Sequence, residues 1–209
     1  MTKYFVDEKE IVFPLNITSL DQILKHVEDS LLPPNSVIRQ IHVDGLPLLP
    51  ETFSEDPAKL LRLLEDRQKV EIYTGTLQEI AHDSIADAIA YLNRVETVTP
   101  SLSETFQVSP GPEAFKNLQE LYEGFYWLNL LFDKIETGLH IALKDVVIQG
   151  IPAKEYQQQF VSILKQLIDS QEKRDYVLIS DLLEYEILPL IPIWREMFII
   201  IAGKVNVAQ

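Results

Sequence analysis

Residues 69–95, KVEIYTGTLQEIAHDSIADAIAYLNRV, contain the point at which the hydrophobic period of this chain changes. Before Gly75, apolar and polar residues alternate, as in a β-strand; after it, apolar residues recur every three or four positions, as on one face of a helix. The spacing of Thr76 and Glu79 is typical of a capping box, which begins a helix. An α+β protein with a sheet-forming part followed by a helical part is therefore predicted.

The part before this change, predicted as a domain over residues 1–75, consists of short strand-like runs around one helix. KYFVDE and EIVFPLN predict a hairpin, a capping box from Ser19 to Gln22 begins a helix, and SVIRQIHVDGLPL predicts two strands joined at Asp44-Gly45. A short helix over residues 56–64 and the strand KVEIYTG complete the order β-β-α-β-β-helix-β.

This order, together with the VDGLPL hairpin, resembles the β-grasp, or ubiquitin-like, superfamily over residues 3–75. The resemblance implies a sheet packed on one helix and a role as a protein-interaction module. The region runs on into a helix at Thr76 and has no terminal Gly-Gly, so conjugation and sulfur-carrier chemistry do not carry over.

The second predicted domain, residues 76–209, is an antiparallel four-helix bundle. The stretch TVTPSLSETFQVSPGPE, residues 97–113, is rich in Ser, Thr, Pro and Gly and is predicted to be the longest connection, with room for one short helix after Ser101. A second helix is predicted from Glu113 to about Ala142. A third follows Pro152, with Gln157 on its outer face, and a fourth starts near Asp175.

Composition narrows the possible functions. The 209 residues include no cysteine, which excludes disulfides, thiolate nucleophiles and cysteine metal sites. The net charge of −14 is spread along the chain and repels phosphate backbones, so we expect no nucleic-acid partner and favour a basic or apolar protein segment. The start of the chain is charged, and its most apolar segment is interrupted by prolines and charges. A cytoplasmic protein with no membrane insertion is expected.

The motifs of common catalytic sites are missing from the sequence. The seven glycines form neither a phosphate-binding loop nor a nucleophile elbow. Glu79 and His82 have the Glu-x-x-His spacing of di-iron bundles, but helical projection places both opposite the apolar face. We therefore predict no catalytic residue, no metal and no cofactor.

The helix after Glu113 is apolar on two faces. One face supplies the bundle core; the second carries Trp127, Leu130 and Leu131, with Tyr126 beside them. This second face is covered either by the N-terminal domain or by a partner, which includes a second copy in a homodimer. The leading hypothesis is a non-catalytic interaction protein, such as an adaptor, assembly factor or export-type chaperone, that binds a protein partner through these four residues.

The last helix contains SDLLEYEILPLIPIW, residues 180–194. Projection as an α-helix places Ser180, Asp181, Glu184 and Arg195 on a polar side, and Glu186 within the apolar side. A buried carboxylate needs donors or a proton. A kink is expected at its two prolines.

The candidate donors to Glu186 are Tyr122, Tyr126, Asn129 and His140. Glu186 is then either a buried group that sets the helix register or part of a ligand site. The alternative function is a small-ligand-binding protein or enzyme. Its pocket lies at the bundle or interdomain interface, and Glu186 pairs with His140 or a tyrosine as acid and base.

Overall fold

The structure is a computed structural model that describes residues 2–13, 20–33, 35–48 and 68–205. The chain has the predicted α+β architecture, with a mixed sheet and a helix followed by a helical region. It divides into two compact units, Met1–Ile80 and Ala81–Gln209. Three predicted features lie outside the described residues: the strand end at Pro14, the cap at Ser19 and the short helix over residues 56–64.

The N-terminal unit contains a five-stranded sheet in the order β2-β1-β5-β3-β4. Its strands are β1 (Lys3–Val6), β2 (Lys9–Ile11), β3 (Ser36–Val43), β4 (Leu46–Pro47) and β5 (Lys69–Thr76). The central pair, β1 and β5, is parallel, and all other pairs are antiparallel. The two predicted hairpins are confirmed.

The two hairpin turns explain the pairing of the outer strands. Asp7 and Glu8 have φ angles of 46° and 68°, and Asp44 and Gly45 have 51° and 82°. Positive φ at both central residues is the requirement of a type I′ turn, whose twist matches that of the flanking strands.

Helix α1 (Leu20–Ser30) covers one face of the sheet. The buried face of the helix packs against the inward-facing residues of three strands, which alternate along each strand. Helix and sheet therefore share one core. The members are Leu20, Ile23 and Val27 of the helix and Val6, Ile41, Val70 and Ile72 of the sheet. The predicted packing of a sheet on one helix is confirmed.

Helix α2 (Leu77–Val108) begins directly after β5 at the predicted capping box. The Glu79 N–H donates to Thr76 Oγ1 at 3.1 Å, and the Thr76 N–H donates to Glu79 Oε2 at 2.8 Å. Two N–H groups that the first helical turn would leave unpaired are thereby satisfied.

The predicted long connection over residues 97–113 is wrong, because α2 continues through Pro100 to Val108 and only residues 109–111 join it to the next helix. The hydroxyls of Thr97, Thr99 and Thr105 donate to the carbonyls four residues earlier, a side-chain hydrogen bond that is compatible with helical geometry. Leu102 and Phe106 are buried in the helical core. Tertiary packing therefore outweighs the loop-forming composition.

Helix α3 (Pro112–Gly138) ends four residues earlier than predicted, and His140 follows it in a left-handed conformation with φ 55°. A 3-10 turn (Leu143–Asp145) and a hairpin of β6 (Val147–Ile148) and β7 (Ile151–Pro152) then lead to α4 (Ala153–Lys173). The hairpin replaces the simple break that was predicted around Gly150.

Glu136 ties the end of α3 to the elements that follow it. Its carboxylate accepts from the Leu143 N–H and from Lys154 Nζ, both at 3.2 Å. Burial alone would raise the pKa of Glu136, but the Lys154 ammonium and the Leu143 N–H outweigh burial and hold the pKa below its ordinary value.

Replacement of Glu136 by Gln is expected to lower the free energy of unfolding at pH 7 by less than about 1 kcal/mol, since the ion pair is partly exposed. A depressed carboxyl pKa contributes stability above the unfolded pKa, and this contribution is lost as the pH falls through the folded pKa. Urea unfolding of both proteins from neutral to acid pH should show curves that converge in acid. A constant offset at every pH would contradict the assignment.

The last helix has three parts: α5 (Tyr176–Asp181), a π-helical turn (Leu182–Ile187) and α6 (Leu188–Val205). It begins where predicted, with Asp175 as N-cap accepting from the Leu178 N–H at 3.1 Å. The Leu188 N–H donates to the Leu183 carbonyl five residues earlier. Pro189 and Pro192, at which a kink was predicted, follow this turn.

Aromatic residues from three helices form the centre of the helical core. Phe132 stacks on Phe198 at 4.6 Å between ring centroids, Phe160 lies 4.6 Å from Phe125, and Trp194 lies 4.2 Å from Phe160. These rings connect α3, α4 and α6 in one layer.

Within the described ranges, no helix is both long enough and apolar enough to cross a membrane.

Candidate functional site

Three large apolar side chains lie exposed and adjacent on α3, and we call them the α3 patch: Tyr126, Trp127 and Leu130. Their exposed fractions are 66%, 36% and 42%. Leu131, predicted to belong to this surface, is only 8% exposed and lies in the core. It follows Leu128 by three residues and precedes Ile135 by four, so it shares their buried face.

Tyr91 of α2 supports the α3 patch from the side. Its ring meets Trp127 edge to face at 6.3 Å and Phe125 at 6.1 Å, and its hydroxyl donates to the Leu121 carbonyl at 3.2 Å. Burial raises the pKa of the Tyr91 hydroxyl well above its ordinary value. Trp127 therefore packs on one side against a ring whose own position is set by a hydrogen bond, which restricts the rotamers open to it.

Gly124 makes this arrangement possible. A Cβ atom at residue 124 would lie 2.1 Å from Cζ and from the hydroxyl oxygen of Tyr91, far inside van der Waals contact. The glycine thus forms a notch in α3 that receives the tyrosine ring. Neither Tyr91 nor Gly124 was among the predicted site residues. A glycine inside a strongly periodic helix was the available signal, because it commonly marks a close approach.

A groove continues from this notch between α2 and α3, and we call it the α2/α3 groove. Its volume is about 640 Å³. The short connection and the contact of Phe106 with Phe115 show that the two helices are antiparallel. The groove is lined by Tyr91, Arg94, Val95, Thr97, Val98, Ser101, Leu102 and Thr105 of α2 and by Glu113, Ala114, Asn117, Glu120 and Leu121 of α3.

Carboxylates accompany the apolar surface. Glu113, Glu120 and Trp127 are spaced seven residues apart, so they lie along one line of α3. Glu123 is exposed and precedes Trp127 by one helical turn. From residue 81 to 138 the chain has nine acidic and three basic side chains. The helical hairpin that carries the α3 patch is therefore strongly acidic.

Glu186, predicted to be buried, is exposed, and Ile187 occupies the buried position instead. The cause is the π-helical turn. In a regular α-helix, residue 186 would lie seven positions after the buried Ile179 and on the same side. The wider turn accommodates one extra residue, so the buried position moves on by one.

The other three predicted buried polar residues lie in two different environments. His140 is exposed, and no hydrogen bond or ion pair joins it to Glu186. Asn129 and Tyr122 are half-buried on α3, with Asn129 Nδ2 donating to the Phe125 carbonyl at 3.0 Å. Asn129 Oδ1 and the Tyr122 hydroxyl find no partner among the described residues, and burial raises the pKa of Tyr122 to about 12. The predicted acid–base pair is not formed.

Two further predictions about exposure are wrong, and in both cases another helix covers the side chain. Ser180, expected on the polar side, is buried, and its hydroxyl oxygen lies 2.9 Å from Ser103 Oγ of α2. Gln157, expected on the outer face of α4, is buried 3.5 Å from Asp133 of α3.

Elsewhere in the described residues, no group of three or more histidine or carboxylate side chains could hold a metal ion. Glu79, of the Glu-x-x-His spacing, is exposed as predicted and engaged in the capping box.

Comparison with known proteins places the helical part in a family. No curated protein and no solved structure shows a significant match. The domain of unknown function (DUF8042) matches residues 83–197, which is more than half of the chain. The matched region contains the α3 patch, the α2/α3 groove and the π-helical turn. The chain therefore belongs to the family defined by the domain of unknown function DUF8042.

Proposed function

We propose that this protein is a non-catalytic interaction protein that binds another polypeptide through the α3 patch. The observation that carries the proposal is the exposure of Tyr126, Trp127 and Leu130 side by side on one helix. Single exposed apolar residues are ordinary, but adjacent ones that include two aromatic residues are typical of binding surfaces. Such a surface would serve an adaptor, assembly factor or export-type chaperone.

The support that Tyr91 gives to Trp127 favours binding over incidental exposure. A side chain that is already held in place loses little conformational entropy when a partner covers it. Trp and Tyr are also the residues that most often dominate the energy of an interface. Trp127 is accordingly expected to contribute most to the affinity.

Site-specific photo-crosslinking in the native cell tests this function. A photo-reactive amino acid at Leu130 is expected to yield a discrete adduct with another polypeptide, and Trp127→Ala in the same chain should abolish that adduct. Ile168 of α4 provides the matched control position, because its exposed fraction is 46%, close to that of Leu130.

Two results would count against the proposal: adducts of equal yield from both positions, or an adduct from Leu130 that survives Trp127→Ala. The mass of the adduct also identifies a homodimer, since a second copy would double the mass of the chain. Circular dichroism of the Trp127 variant checks that its fold is unchanged.

A further inference from the structure

The α2/α3 groove has the dimensions of a channel for an elongated occupant. It runs from Tyr91 to Thr105 of α2, which is about 21 Å at about 1.5 Å per residue. Its volume of about 640 Å³ is distributed along that length. A row of side chains from one segment fits this elongated shape.

The lining of the groove is amphipathic across its width. Its floor consists of core side chains, including Val95, Leu102 and Leu121, which are buried beneath it. Glu113 and Glu120 line the α3 side. An occupant with apolar residues along one edge and basic residues along the other would satisfy both, because carboxylates pair with Lys and Arg.

Charge distinguishes between the possible occupants. Of the three basic residues between positions 81 and 138, Lys116 lies 3.6 Å from Glu120, and Arg94 lies over the ring of Tyr91. The Lys116–Glu120 pair is exposed, so an incoming cation can replace it at little cost. A second copy of this chain would present the same excess of carboxylates and would be repelled.

We infer that the α2/α3 groove binds a basic amphipathic segment of a partner protein, with cationic side chains at Glu113 and Glu120. This inference rests on the proposed function and identifies the chemistry of its partner. The segment reaches the α3 patch at the Tyr91 end of the groove, where Trp127 continues the line of the two glutamates.

The test uses a fluorescent, helix-forming peptide of about 18 leucine and lysine residues, long enough to span the groove. Fluorescence anisotropy with the full chain is expected to show saturable one-to-one binding that weakens with added salt. Glu113→Lys together with Glu120→Lys should weaken binding by at least about tenfold, because like charges then face each other. Val98→Trp, which fills the groove, should do the same at unchanged charge.

Asp169→Lys together with Glu172→Lys is the matched control, because it changes the net charge by the same amount at exposed positions of α4. Equal losses from the two charge-reversed variants would mean non-specific attraction and would overturn the inference. Equal binding of a leucine and glutamate peptide would also overturn it, as would dimerisation of the chain that the groove variants abolish. If the crosslinks from Leu130 persist but the leucine and lysine peptide does not bind, the proposed function is retained and only the inference about the groove is contradicted.

Discussion

Deletion of Glu196 is expected to unfold the helical unit, whereas deletion of Glu186, ten residues earlier, should leave it folded. Both residues are exposed on the same long helix, so neither deletion removes a buried side chain. The difference would come from the side of the helix on which the buried residues after each deletion then lie.

Removal of Glu196 from regular α-helix rotates every later residue by about 100° about the helix axis. The buried residues affected are Met197, Phe198, Ile201 and Val205. Loss of one buried side chain of this size costs about 2–5 kcal/mol, and a domain is stable by only about 5–15 kcal/mol. After the deletion Phe, Ile and Ala occupy the positions of Met197, Phe198 and Ile201, which overpacks one site and leaves cavities at two, and the summed cost approaches the stability of the unit.

Removal of Glu186 shortens the π-helical turn by one residue and lets it close into regular α-helix. Around this turn the buried residues recur at every fourth position, at Ile179, Leu183, Ile187 and Ile191, a spacing that drifts steadily around a regular α-helix. After the deletion, Ile187 would lie seven positions after Ile179 and on the same side. We expect a loss of about 1–3 kcal/mol, the cost of local repacking.

Thermal unfolding followed by circular dichroism distinguishes the two deletions. The Glu186 deletion should show a cooperative transition at a somewhat lower temperature, and the Glu196 deletion should show none. Comparable loss of structure in both proteins would mean that the π-helical turn does not contain a removable residue.

Gly124→Ala is expected to destabilise the protein by about 1–3 kcal/mol, the range for an overpacked site. Alanine is intrinsically better than glycine in a helix by about 1 kcal/mol, so the usual expectation has the opposite sign. Here the new methyl group would displace the ring of Tyr91. The ring would lose its contacts with Phe125 and Trp127 and the hydrogen bond to the Leu121 carbonyl.

Gly203 of α6 provides the control, because a Cβ added there would meet no atom within 4 Å. Gly203→Ala should stabilise the protein by about 0.5–1 kcal/mol. In a double-mutant cycle, Gly124→Ala should cost much less in a Tyr91→Ala background, with a coupling energy of about 1 kcal/mol or more. Additive effects in urea unfolding would show that the ring does not depend on the notch.

The features that were predicted correctly depend on residues close together in the sequence. The Thr76 capping box, the Asp44-Gly45 turn and the start of the last helix near Asp175 each involve a few consecutive positions, and their local hydrogen bonds or backbone angles are sufficient to form them. The core face of α3 follows from its helical period. The α+β architecture follows from the same local patterns.

The candidate site was predicted only in part. The aromatic residues of the α3 patch stood out because α3 is apolar on two sides, and Tyr126, Trp127 and Leu130 are exposed. Leu131 was assigned to the wrong face because it lies at the boundary between them. The groove could not be predicted, because residues 97–108 have a loop-like composition and supply five of the eight α2 residues that line it.

The sequence by itself determined that a strand-forming region is followed by a helical one, since alternation and helical period are properties of each segment alone. Tertiary structure decided the path of α2 through Pro100, the phase of the last helix and the position of Trp127. Each depends on side chains far apart in the sequence, such as Ser103 with Ser180 and Tyr91 with Gly124. The packing energy of such pairs outweighs local secondary-structure propensity. The periodicity of a segment does not identify which distant residues it will contact.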